Sequence, residues 1–185
     1  MNMLKKISLS EIVVFLLVLL PGGALGYFYY SKYEQAGRLS EVPHYLKNIH
    51  QSATVFADRN LKYNLKHENK RPLFPQSSPL TPSVKCCTRK GQSQKCIPNG
   101  KGYTAYSLLE WHDESWKQLG IKIVDPHLFR YRFVKTTIQG KPGFKALAQG
   151  DLDCDGVSSQ YYRTGHKQGN RIVGSGEIFS EKPGE

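Results

Sequence analysis

Two hydrophobic patterns divide the first third of the chain. From Ile12 to Tyr30 the residues run without a charge, and as a helix rising ~1.5 Å per residue such a run just covers a hydrocarbon core of ~30 Å. From Ser40 to Asn60 the pattern changes: Val42, Leu46, Ile49, Ala53 and Phe56 recur at spacings of four, three, four and three, which is one stripe of an amphipathic helix. Only a polar stretch separates the two. The pattern therefore predicts one long, interrupted helix, its first half in the membrane and its second half packed on a domain. Pro43 falls near the start of the second half, where a first turn tolerates proline.

Beyond Asn60 the periodicity lapses. Residues up to Lys101 are polar, proline-punctuated and rich in turn formers, a long loop of the kind that is functional or tied down. Leu108 to Leu119 predicts a short helix or irregular turn, with Trp111, Trp116 and Leu119 as core residues. From Arg130 the pattern becomes short β-rich runs split by glycine and proline. RYRFVKTT and FKALAQG read as a hairpin, and VSSQYYR and RIVGSGEIFS as two further strands. Four antiparallel strands packed on the striped helix make an α+β domain.

The apolar segment has more than one reading. Lys5 and Lys6 precede it, which keeps the N-terminus cytoplasmic and exports the rest. A cleavable signal peptide competes: the apolar run is broken by Pro21, Gly22 and Gly23 and followed by the small-x-small triplet Ala24-Leu25-Gly26, where signal peptidase cuts. Glu11 at the mouth of the run is not needed by that account. An acid there is costly in a bilayer and is by default a functional group. Ser8-Leu9-Ser10-Glu11 also fits a capping box, which stabilises a helix start by about 0.5–2 kcal/mol.

Composition narrows the function classes. The 185 residues carry a net charge of +11, nearly all of it beyond the apolar run, but Lys and Arg are scattered rather than clustered with stacking aromatics, so no nucleic-acid partner is expected. Cys86, Cys87, Cys96 and Cys154 all follow the apolar segment, and behind an export signal four cysteines imply disulfides. Bridging the neighbours Cys86 and Cys87 strains the short loop, so one is expected to reach Cys96 and the other Cys154, in an order left open. A zinc site competes but lacks paired CxxC knuckles. Gly150-Asp151-Leu152-Asp153-Cys154-Asp155-Gly156 starts like a calcium loop, with Asp151, Asp153 and Asp155 as hard oxygen ligands. Counted from Asp151, however, the twelfth position is Tyr162 instead of glutamate, and a solvated turn pinned by Cys154 is the other reading. No catalytic constellation emerges. The six histidines are dispersed and read as surface or capping residues, and HExxH, GxSxG and GxxxxGK[ST] are absent.

The order of basic residues, short polar stretch, glutamate, apolar helix and an amphipathic half reading SE-x-x-x-x-L-x-x-I resembles the N-terminal helix of type IV pilins and pseudopilins. CC followed by C, then ESWKQLGIKIVDPHLFRYRF and FKALAQGDLDCDGVSS, resemble the pilin-like proteins of myxobacteria and related groups. The resemblance implies a pilin-like fold and three segments: a leader and membrane or assembly helix over 1–30, an amphipathic half over 31–60, and a disulfide-stabilised globular domain over 61–185. It implies that Glu11 neutralises the N-terminal amine of a neighbouring subunit during assembly and that Pro21-Gly22-Gly23 lies where pilin helices unwind in a fibre. Prepilin peptidase would cut between Lys6 and Ile7. There the chain departs from the family, which has a small residue, usually glycine, at the position of Lys6. The implied partners are other pilin-like subunits, the inner membrane, and prepilin peptidase with the assembly machinery. The expected function is a structural subunit, a minor pilin or pseudopilin, anchored in the cytoplasmic membrane with its C-terminal domain outside. The alternatives are a secreted or periplasmic binding protein released after Gly26, and an unprocessed, anchored pilin-like protein.

Overall fold

The computed structural model describes residues 9–87 and 95–181, the side chains of residues 9–16, 18, 31 and 34–36 excepted. In chain order the elements are α1 (Leu9–Leu39), α2 (Glu41–Lys66), β1 (Ile97–Pro98), β2 (Ala105–Tyr106), a 3₁₀ turn (Leu108–His112), α3 (Glu114–Leu119), β3 (Arg130–Ile138), β4 (Lys141–Gly150), β5 (Ser159–Gln168), β6 (Arg171–Gly174) and β7 (Phe179–Glu181). They form two compact units, Met1–Leu39 and Ser40–Glu185.

The pilin-like arrangement expected above needs correction at its N-terminal end. The predicted long helix is interrupted at Ser40, between α1 and α2. Among the described residues no helix is long and apolar enough to cross a membrane, which overturns the expected membrane-spanning half. The physical reason lies in the second half of the run, since the side chains of residues 9–16 and 18, which include much of its Leu, Ile, Val and Phe, are outside the described residues. The run lacks charge, but Pro21, Gly22, Gly23 and Gly26 and then Tyr27, Tyr29 and Tyr30 fill its second half, and these contribute little of the transfer free energy that Leu, Ile, Phe or Val supply. α1 continues as helix through Pro21. The cleavage position between Lys6 and Ile7 lies outside the described residues.

The second unit is a helix laid on an antiparallel sheet. α2 buries Val42, Leu46, Ile49, Ala53, Ala57 and Leu61. The stripe is the predicted one except at its C-terminal end, where Ala57 takes the buried position and Phe56 is half-buried. Facing it, the strands alternate with period two: Tyr131 and Phe133 of β3, Phe144, Ala146 and Ala148 of β4 and Tyr161 of β5 point inward. Each large side chain so buried contributes about 1.5–3 kcal/mol. The middle of the sheet is floored by small residues, and at Gly165 any Cβ would lie 2.5 Å from the buried Phe144 ring.

Among the described residues the sheet has five strands, not four. The order is β3-β4-β5-β6, with β7 also paired to β5. The β3–β4 hairpin turns through Gln139 and Gly140, both left-handed at φ 51° and 73°, the pair of positive φ values that a two-residue turn matched to strand twist requires. The single strand expected over RIVGSGEIFS is two short ones, because the chain leaves the ladder after Gly174 and rejoins β5 at Phe179.

The expected long loop after α2 is tied at several points. Ser78 N–H donates to Phe133 O at 2.9 Å, and Thr81 and Tyr131 exchange backbone bonds of 2.8 and 2.7 Å, so this segment covers part of the β3 edge. Disulfides join Cys86 to Cys96 and Cys87 to Cys154, one partner from each end as expected. By loop length, with sequence separations of 10 and 67, chain-entropy reasoning assigns them about 3 and about 4 kcal/mol. Trp111 and Trp116 are core residues, 1 % and 0 % exposed, and their indole N–H groups donate to Tyr106 Oη at 3.1 Å and Thr81 Oγ1 at 2.9 Å.

The histidines are not all on the surface. His127 is 1 % exposed. Its Nδ1 lies 2.7 Å from Phe129 O and its Nε2 2.9 Å from Tyr106 Oη. A carbonyl only accepts, so Nδ1 carries the proton and Nε2 accepts from the tyrosine. Burial lowers the His127 pKa to about 4 and raises that of Tyr106 to about 12. An unfolded histidine takes its proton near pH 6.5 and the folded one not until about 4, so this contribution is complete above 6.5 and is lost as the pH falls between the two values, by up to about 3 kcal/mol. Half-buried His50 is shifted down as well, while burial raises Glu41 and offsets part of the effect. The urea midpoint is therefore expected to be higher at pH 7 than at pH 4.5; equal midpoints would contradict the neutral, buried assignment of His127.

Candidate functional site

The acidic loop between β4 and β5 is the site that the sequence singles out and the structure assembles. Cys154 and Gly156 are left-handed, at φ 62° and 99°, and the tight path turns Asp151, Asp153 and Asp155 toward each other, so that one oxygen from each lies within 4.8 Å of the others. The carboxylates are engaged by the loop itself. Asp155 N–H donates to Asp153 Oδ1 at 3.2 Å, Gly156 N–H to Asp151 Oδ2 at 3.0 Å and Val157 N–H to Asp155 Oδ1 at 2.7 Å. The disulfide from Cys154 to Cys87 pins the loop to the segment before β1.

Asp151 Oδ1 is buried with no hydrogen-bond partner among the described residues. Beside it is a cavity of about 20 Å³ lined by Lys85, Arg130, Gln149, Asp151 and Ser158 together with Cys86 and Cys87. That is room for one water, which would complete the carboxylate. For calcium the bidentate glutamate of the loop motif is missing: Tyr162, at the twelfth position, is in β5, stacked on Phe179 with ring centroids 5.4 Å apart. The amide bonds and the disulfide already hold the loop.

A second carboxylate went unnoticed in the sequence. Glu41, in the first turn of α2, accepts from Leu128 N–H at 2.8 Å, Phe129 N–H at 3.3 Å and Tyr131 Oη at 2.7 Å. It fastens the start of the helix to the start of β3. The partners lie some ninety residues away, so no local signal marks it. A groove between α2 and α3, lined by Val55, Phe56, Arg59, Lys117 and Leu119, likewise depends on tertiary packing.

The other predicted position, Glu11, falls within α1, but its side chain is outside the described residues. Farther along, α1 exposes Leu17, Leu19, Leu20, Leu25 and the aromatic run Tyr27 to Tyr30, each more than half accessible. All four cysteines are in disulfides, and the described histidines with a deep environment, His50 and His127, bond to Thr164 O and to the Phe129–Tyr106 pair. Comparison of the chain with protein-family models, with curated proteins and with solved structures finds no match.

Because the loop is held by its own amides and by Cys154, chelation with EDTA is expected to leave the melting temperature unchanged, and added millimolar calcium to raise it by no more than about 1 °C. A calcium-dependent rise of several degrees that is lost in Asp151→Asn identifies a cation site instead.

Proposed function

We propose that this chain is an exported structural subunit, of the minor pilin or pseudopilin kind, in a filament of type IV pilus or type II secretion type, assembled through α1. The observation that carries the reading is the apolar and aromatic surface of α1, which is exposed along Leu17 to Tyr33. A contiguous apolar surface of that length marks an interaction site. In this reading the surface is covered in the assembled state by the α1 of other copies. The rest of the chain is consistent with display outside the cytoplasm. Its loops are stapled by two disulfides, a feature of oxidising compartments, and its charged surface keeps the head soluble.

In this reading the Glu11 carboxylate pairs with the N-terminal amine of a neighbouring copy, an ion pair that gains strength where apolar helices exclude water. Glu11→Ala is expected to leave the melting temperature of the Ser40–Glu185 unit unchanged and to lower the protein recovered in sheared filaments by at least tenfold. Wild-type levels of the variant in that fraction would contradict the assignment.

A further inference from the structure

The groove between α2 and α3 has a volume of about 380 Å³ and presents Val55, Phe56, Arg59, Lys117 and Leu119. Val55 is 57 % exposed. The groove contains two cations and no carboxylate, and the side chains of Arg59 and Lys117 make no hydrogen bond or ion pair among the described residues. The acidic loop is its chemical complement. Asp153 and Asp155 are exposed, bonded to their own loop amides and without a cation partner, and Val157 follows them, 37 % exposed. Two acids and a valine in five residues match two cations and a valine. Two stretches of the chain carry three acids within five residues; in the other, Glu110 accepts from Ser83, Asp113 from Ser115 N–H and Glu114 from Gln118, whereas Asp153 and Asp155 accept only from their own loop.

The two surfaces do not meet within one molecule. Glu41 fastens the start of α2 to Leu128 and Phe129, and Arg130, the next residue, pairs with Gln149 at the end of β4. The acidic loop leaves from that point, so it lies at the N-terminal end of α2. The groove involves Val55 to Arg59, some 20–27 Å farther along the helix at ~1.5 Å per residue. Displacement along α2 brings the loop of one copy to the groove of the next. Such a contact joins different surfaces of the two partners, and repeated it makes an open chain of subunits.

We infer that the α2–α3 groove docks the Asp151–Val157 loop of a second copy, with Asp153 and Asp155 against Arg59 and Lys117 and Val157 against Val55. The inference rests on the filament reading and deepens it: α1 supplies the apolar association and this contact sets the spacing of the heads. Rim ion pairs of this kind weaken with salt, so assembly is salt-sensitive.

The test is sedimentation of the full-length chain over a range of concentration and salt. The double variant Arg59→Glu with Lys117→Glu, folded by circular dichroism, is expected to need roughly tenfold higher concentration to assemble and to lose most of its salt dependence. Adding Asp153→Lys and Asp155→Lys to the same chain restores assembly, and Asp153→Asn with Asp155→Asn, which keeps the loop's acceptors, reproduces the defect without reversing the groove. Wild-type assembly and salt dependence in the folded double variant, or a four-substitution chain no better than the double variant, overturns the docking and leaves the filament reading intact. A wild-type chain that stays monomeric at every concentration overturns both.

Discussion

The second unit depends on how α2 is held at its first turn. Glu41 takes two backbone N–H groups and the Tyr131 hydroxyl, and this clamp sets where the stripe from Val42 to Leu61 falls on the sheet. The carboxylate is under opposing influences: burial raises its pKa while the hydrogen bonds lower it, and burial dominates. The bonds matter most through what their loss would expose. Two buried amides left without an acceptor cost about 1–3 kcal/mol each. With the helix start fixed, Leu46 and Ile49 are fully buried, and His50 lies against Phe144 with ring centroids 5.2 Å apart.

From that placement the rest of the domain follows. α3 packs beside α2, while Trp111 and Trp116, 5.1 Å apart, are bonded to Tyr106 and Thr81. The segment from Ser77 to Cys87 runs along β3 and is then stapled twice. A head built in this way is rigid without a large core. α1 belongs to a separate unit, and its described large apolar and aromatic side chains from Leu17 to Tyr30 are exposed.

The sequence was most legible where one period ran uninterrupted. The four-three spacing from Val42 to Ala53 located α2, and alternation between Arg130 and Gly150, broken at Gln139-Gly140, located the first hairpin. The cysteine count implied two bridges but not their order, because Cys86 and Cys87 are equivalent in sequence and separated only by the directions their side chains take. The strand over RIVGSGEIFS was over-read, since Gly174, Ser175 and Gly176 let the chain leave the ladder. The membrane-spanning half was over-read as well. Freedom from charge is not sustained hydropathy: proline, glycine and tyrosine hold seven of the ten positions from Pro21 to Tyr30. His127, Glu41 and the α2–α3 groove had no local signal, because each is defined by residues distant in the chain.

The central claim is that α1 is retained in the mature protein and mediates assembly. The intact mass and N-terminal sequence of the protein recovered separately from membrane and sheared-surface fractions of its native host test this directly. The account predicts a chain that keeps α1 in the sheared fraction, beginning at Ile7 if the lysine at position 6 is accepted by the processing enzyme. A chain beginning at Tyr27 would contradict it, since most of the apolar surface on which assembly depends would be gone and a freely secreted domain would remain.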